Sequence, residues 1–93
     1  MKLRIRTSAA MIELSEEESG ELRNRLRELP AAQPAEETIA VSANASTSVT
    51  FTSQQKAAVL EVLDLWLEKA GPAAGDGPTK LRDALRVELN SGQ

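Results

Sequence analysis

Apolar and polar residues alternate in two short segments near the start of the chain, at 2–6 and 11–14. Alternation with a period of two is typical of a strand that buries one face. A loop over 7–10 would join the two segments as an antiparallel hairpin with apolar residues on one face and opposite charges on the other. The predicted register pairs Leu3 with Leu14, Arg4 with Glu13, and Ile5 with Ile12.

A helix is predicted directly after this hairpin. Ser15 is followed three residues later by Glu18, which is the capping-box pattern that opens a helix. Three leucines continue at helical spacing until Pro30, which ends the helix because proline cannot extend it. The following segment, 30–37, contains two prolines and is predicted to be a linker-like loop.

Alternation returns at 39–43 and again at 49–51. The two segments predict a second hairpin with a loop at 44–46, and its outward face consists mostly of small or hydroxyl side chains. The predicted register pairs Ile39 with Phe51 and Val41 with Val49.

The most apolar part of the chain, 53–70, predicts a central core helix, because its apolar residues cover a wide arc of the helical wheel. Glycine and proline at 71–78 predict a second linker-like loop, Thr79 or a neighbour opens a last short helix, and 91–93 is predicted to fray. We therefore predict one α+β domain, 1–93, in the order ββαββαα. It would have a small antiparallel sheet of two hairpins, with helices packed on one face.

Composition removes several kinds of site. The chain has no Cys and no His, so it lacks thiol chemistry and the commonest general base and metal ligand. We predict no catalytic residue, no cofactor and no metal, and we do not expect an enzyme. The net charge of −3 disfavours general binding of nucleic acid. No segment approaches the ~18 apolar residues of a membrane span. The first residues lack a signal-peptide pattern, so we expect no membrane contact and a cytoplasmic location.

The predicted core helix carries the first candidate surface. Glu61, Asp64 and Glu68 form an acidic stripe opposite the apolar arc, and Leu65 lies off that arc. The stripe could bind a basic partner, although the solvated face of an amphipathic helix explains it more simply. Leu65 could be a boundary residue or part of an exposed patch for dimerisation or partner binding. Trp66 lies in the middle of the apolar arc and is predicted to be a core residue.

A second candidate surface is the first strand, where Lys2, Arg4 and Arg6 share one face. Three cations on one face could contact an anion or a phosphate. We favour the other interpretation, a charged edge strand in which the charge blocks association between sheets. Arg4 also has a predicted partner in Glu13. No aromatic residues are interleaved with these cations, which makes the strand a poor platform for nucleic acid.

The sequence therefore favours a small non-enzymatic protein-interaction module, such as an adaptor, a regulatory subunit or an accessory protein of a phage or bacterial system. Its protein partner is not identified by any motif, and a homodimer is one of the arrangements we expect. The alternative is a dimeric nucleic-acid-linked regulator, of the antitoxin or small-repressor type, that uses the basic first strand. Salt dependence of binding would separate the two, because phosphate contacts weaken steeply as salt rises.

Overall fold

The computed structural model describes residues 3–7, 10–45 and 48–91, and within them the chain forms a three-stranded sheet and four α-helices. The strands are β1 (Leu3–Arg6), β2 (Met11–Leu14) and β3 (Val49–Thr50). The helices are α1 (Glu16–Glu28), α2 (Gln33–Ala45), α3 (Ser53–Ala70) and α4 (Asp76–Ser91). Short 3-10 turns at Pro30–Ala32 and Gly71–Ala74 lead into α2 and α4.

The predicted N-terminal hairpin and the start of α1 are confirmed. β1 and β2 are antiparallel, and Leu3 faces Leu14 while Ile5 faces Ile12, as predicted. The capping box also forms: the Ser15 hydroxyl accepts from the Glu18 amide at 3.2 Å, and the Glu18 carboxylate accepts from the Ser15 amide at 2.9 Å. Both features depend on residues close together in the sequence, so local chemistry is sufficient to specify them.

The prediction for 30–45 is wrong. This part of the chain is a 3-10 turn followed by α2, not a linker-like loop and a strand. Ala32, Ala35 and Ile39 are fully buried at spacings of three and four residues, which is a helical period. Alanine is the best helix former, and Pro34 is tolerated because it lies in the first turn of α2. The apparent strand alternation here set Ile39 and Val41 against small residues, a contrast too weak to indicate two faces.

The sheet is mixed, so the predicted antiparallel sheet of two hairpins is also wrong. The strand order is β2-β1-β3, and β3 runs parallel to β1 with Ile5 facing Val49 and Arg6 facing Thr50. Since 39–43 belongs to α2, β3 has no antiparallel neighbour in sequence. It reaches β1 instead through the long crossover that a parallel pair requires. The observed order is ββααβαα rather than ββαββαα.

The strands bury one face, as their alternation predicts. The inward side chains of β1, β2 and β3 belong to the single apolar core, whereas Arg4, Arg6, Met11, Glu13 and Thr50 point outward and are exposed. Helices α1 and α4 contact β2, and α2 contacts β3. The buried side of the sheet is further tied to α1 by Ser19, whose hydroxyl accepts from the Leu3 amide at 3.1 Å and donates to the Ser15 carbonyl at 2.7 Å.

The segment 71–78 is more ordered than a linker-like loop. It contains the 3-10 turn and the first turn of α4, which begins at Asp76 and not near Thr79. Gly75 has φ of 98°, and a Cβ there would overlap the Glu18 carboxylate. A Cβ on Gly77 would lie 2.7 Å from a methyl carbon of Leu14. Glycine therefore lets the start of α4 approach α1 and β2 closely. Of the predicted frayed tail, Ser91 ends α4 and 92–93 lie outside the described residues.

Candidate protein-interaction surface

Helix α3 positions the first candidate surface. Its start is set by a second capping box, in which the Thr52 hydroxyl accepts from the Gln55 amide at 3.2 Å and the Gln55 side chain accepts from the Thr52 amide at 2.9 Å. Its apolar arc is buried against the other helices, and Trp66 belongs to this core as predicted. The opposite side of α3 is exposed at Glu61, Leu65 and Glu68. Leu65 has 49% of its surface accessible to solvent.

Leu65 lies beside a groove between α1 and α3. The groove has a volume of about 210 Å³. Its apolar lining comes from the buried Val62, the half-buried Leu29 and the exposed Leu65. Its charged lining comes from Arg25, Glu28 and Lys69. The groove therefore combines one exposed leucine with two less exposed apolar side chains and a charged rim.

One wall of the groove is fixed in place by Arg25. Its guanidinium donates to the Glu21 carboxylate at 2.8 Å, one helical turn earlier on α1. The same guanidinium carbon lies 5.3 Å from the centre of the Trp66 ring, within the range of a cation–π contact. Arg25 thus contacts both α1 and α3, and these two contacts hold the side chain that forms this wall of the groove.

The predicted acidic stripe is divided by the structure. Asp64 accepts a hydrogen bond of 2.7 Å from Arg86, so its charge ties α3 to α4. Glu61 and Glu68 are exposed and form no ion pair within the described part of the chain. Two of the three carboxylates, Glu61 and Glu68, are therefore available to a partner on the same exposed side of α3 as Leu65.

The basic first strand is placed on a separate surface, the outer face of the sheet. Lys2 lies outside the described residues. Arg4 is 3.5 Å from Glu13, its predicted cross-strand partner, while Arg6 is exposed opposite Met11. The interpretation of these cations as protection for an edge strand is wrong, because β1 is the central strand of the sheet. Only Arg6 remains as a described cation of this strand without an ion pair.

Sequence reasoning missed the part of the groove that comes from α1, and it missed a buried ion cluster. Glu36, within the predicted linker, accepts from Arg23 at 3.0 Å and from Arg27 at 3.2 Å. The available signal was the four-residue spacing of Arg23 and Arg27, which places both on one face of α1. The groove had no such signal, because Leu29 and Leu65 are far apart in sequence.

The described residues contain no group of three or more acidic side chains arranged to hold a metal ion. None of the helices they form combines the length and the hydropathy that a membrane span requires. No protein-family model matches the sequence, and neither a curated protein nor a solved structure matches it. What the chain does must therefore be inferred from the surface just described.

Proposed function

We propose that this protein is a small non-enzymatic interaction module that binds a protein partner through the groove beside Leu65. An adaptor, a regulatory subunit or an accessory protein of a bacterial or phage system would each use such a module. The observation that carries the proposal is an exposed leucine with Leu29 and Val62 beside it and charged side chains around it. The proposed location is the cytoplasm, which rests on the sequence alone.

Leu65 differs from the other exposed large apolar residues that the structure describes, which are Met11, Val41 and Val87. Val41 also lies beside an opening, but that opening is otherwise lined by a proline and polar side chains. Leu65 is the one that lies in a groove with two further aliphatic side chains. An anchor of this kind gains affinity when a partner covers it, because apolar area leaves water.

The test is co-purification with a matched pair of variants. Tagged wild-type protein, Leu65→Gln and Val41→Gln are used to capture proteins from the native lysate, with an untagged copy of the chain included. We expect a protein that wild type and Val41→Gln retain in stoichiometric amount and that Leu65→Gln loses. Glutamine suits a helix and both positions are exposed, so the variants should fold alike. The proposal fails if no retained protein depends on Leu65.

The alternative, a dimeric nucleic-acid-linked regulator, is tested by the same capture. It is supported by Arg6, which is exposed on the outer face of the sheet. It is weakened by the pairing of Arg4 with Glu13. Recovery of nucleic acid that falls steeply with added salt, and that is lost with Arg6→Ala, would favour this alternative over the interaction module.

A further inference from the structure

We propose that the protein bound at the groove beside Leu65 is a second copy of this chain, joined through antiparallel contact of the two α3 helices. The proposal rests on the proposed function and names its partner. The observation behind it is the order of three exposed residues on α3: Glu61, Leu65 and Lys69. An acid lies four residues before the leucine, and a cation lies four residues after it.

The three residues form one continuous line on the helix surface. Side chains four residues apart lie above one another on a helix, so Glu61, Leu65 and Lys69 share a single ridge. Glu61 and Lys69 are two turns apart, about 12 Å along the axis, and are too distant to pair with each other. Neither forms an ion pair with any other described residue. Their charges are therefore open to a partner.

A two-fold axis through Leu65 makes this ridge complementary to itself. When two copies meet in antiparallel orientation, Leu65 lies against Leu65 of the second copy. Glu61 then lies against Lys69 of the second copy, and Lys69 lies against Glu61 of the second copy. Packing of ridges formed by residues four apart is the commonest way in which two helices meet. In a two-fold contact each pair of residues occurs twice. One Glu61, one Leu65 and one Lys69 from each copy therefore form two ion pairs and an apolar centre between them.

The surroundings of the ridge agree with this arrangement. On the side where the groove opens, the half-buried Leu29 adds apolar surface beside Leu65, above the buried Val62. Asp64 would add like charge to the contact, but its carboxylate is taken up by Arg86 at 2.7 Å. A partner that was simply basic would match Glu61 and Glu68, but it would meet repulsion at Lys69. The second copy places Lys69 against Glu61 and Glu61 against Lys69, but it supplies no cation to Glu68.

The experiment measures molecular mass in solution by sedimentation over a concentration series. Wild type is expected to be a dimer that dissociates on dilution. Glu61→Lys and Lys69→Glu each replace two attractive contacts with two repulsive ones, and each is expected to weaken dimerisation about tenfold or more. An equal mixture of the two variants should form dimers again, because one chain then carries only cations at these positions and the other only acids.

Three further variants test the interpretation. Leu65→Gln should be monomeric, whereas Val41→Gln should match wild type. The double variant Glu61→Lys with Lys69→Glu should recover the dimer, because both pairs are restored with their polarity reversed. Thermal unfolding of each variant checks that the exposed substitutions leave the fold intact.

The proposal is overturned if wild type stays monomeric at every concentration, or if the mixture associates no better than either variant alone. Its failure differs from failure of the proposed function. A monomeric wild type that still captures a different protein through Leu65 would refute only self-association. A dimer that persists in Leu65→Gln would show that the dimer contact lies elsewhere and would overturn this proposal, whereas the proposed function is decided separately by whether any captured protein depends on Leu65.

Discussion

Helix α2 and the pair α3–α4 are attached to the same core by different means. α2 buries Ala35, Ile39 and the carboxylate of Glu36, which receives hydrogen bonds from Arg23 and Arg27 on α1. The α3–α4 pair packs through large aliphatic residues and the indole of Trp66, and it also carries an ion pair between Lys56 and Glu88, whose side chains are only 16% and 17% exposed.

The difference shows how much of each attachment depends on geometry. Burial of aliphatic side chains is worth about 0.8 kcal/mol per methylene and has little directional preference. α2 has fewer such groups, and its position is defined by directed contacts. Besides the Glu36 cluster, the Gln55 amide of α3 donates to the Pro34 carbonyl at 3.3 Å and to the Thr38 hydroxyl at 3.0 Å. We therefore expect α3–α4 to tolerate loss of the exposed Asp64–Arg86 pair and α2 to be sensitive to loss of the Glu36 charge.

The largest effect is expected from Leu63→Ala. Leu63 is fully buried in α3, so truncation removes apolar contacts and leaves a cavity, at a cost of about 2–5 kcal/mol of unfolding free energy. Urea unfolding followed by the fluorescence of Trp66, the single tryptophan, measures the loss. Leu65→Ala is the matched control on the same helix and should cost less than about 1 kcal/mol. Equal losses at the two positions would contradict the burial pattern of α3.

An intermediate effect is expected from Glu36→Gln. The side chain of Glu36 is only 12% exposed, so neutralising it removes the charge that compensates two guanidinium groups in a poorly solvated site. We expect a loss of about 1–3 kcal/mol, reduced from a fully buried pair because Arg27 is half exposed. The measurement is again urea unfolding.

The control for this cluster is Glu37→Gln, an exposed neighbour on α2 that should change the unfolding free energy by less than about 0.5 kcal/mol. If Glu36→Gln behaved like Glu37→Gln, α2 would be held by its apolar residues alone. The comparison between the two regions would then be lost.

The smallest effect is expected from Asp64→Asn. The pair with Arg86 is 2.7 Å long, but its side chains are 42% and 50% exposed, so solvent and salt screen the attraction. We expect a change of no more than about 0.5 kcal/mol, which shrinks further as salt is added. Glu68→Gln, without an ion pair in the described residues, is the control. A loss as large as that of Glu36→Gln would mean that this exposed pair, and not only the Lys56–Glu88 pair, holds α3 to α4.

Prediction from sequence succeeded where the relevant contacts are local and the residue types contrast strongly. β1 and β2 alternate leucine and isoleucine with charges, and both their pairing and their register were predicted. The wide apolar arc of α3 likewise indicated a core helix. The segment that became α2 offers a weaker contrast, because alanine, serine and threonine fit either face of a strand or a helix. Which residues of this segment are buried, and therefore their helical spacing, depends on the elements that pack against α2.

The candidate surface divides in the same way. The position of Leu65 outside the apolar arc of α3 indicated that it is either a boundary residue or part of an exposed patch. The groove beside it was not predicted. Arg25 on α1 and Leu29, which directly follows α1, reach Leu65 only through the packing of α1 against α3. Likewise, the acidic stripe was visible in the sequence, but its division by Arg86 was not.

By itself, the sequence determined the first hairpin with its register, the capping box of α1, the core role of α3, and the absence of histidine and cysteine chemistry. The tertiary structure decided the parallel placement of β3, the helical state of α2 and the groove beside Leu65. The physical reason is the range of the interactions. Alternation and capping act between neighbours in the chain, whereas a strand partner, a buried ion cluster and a groove depend on segments that meet only after folding.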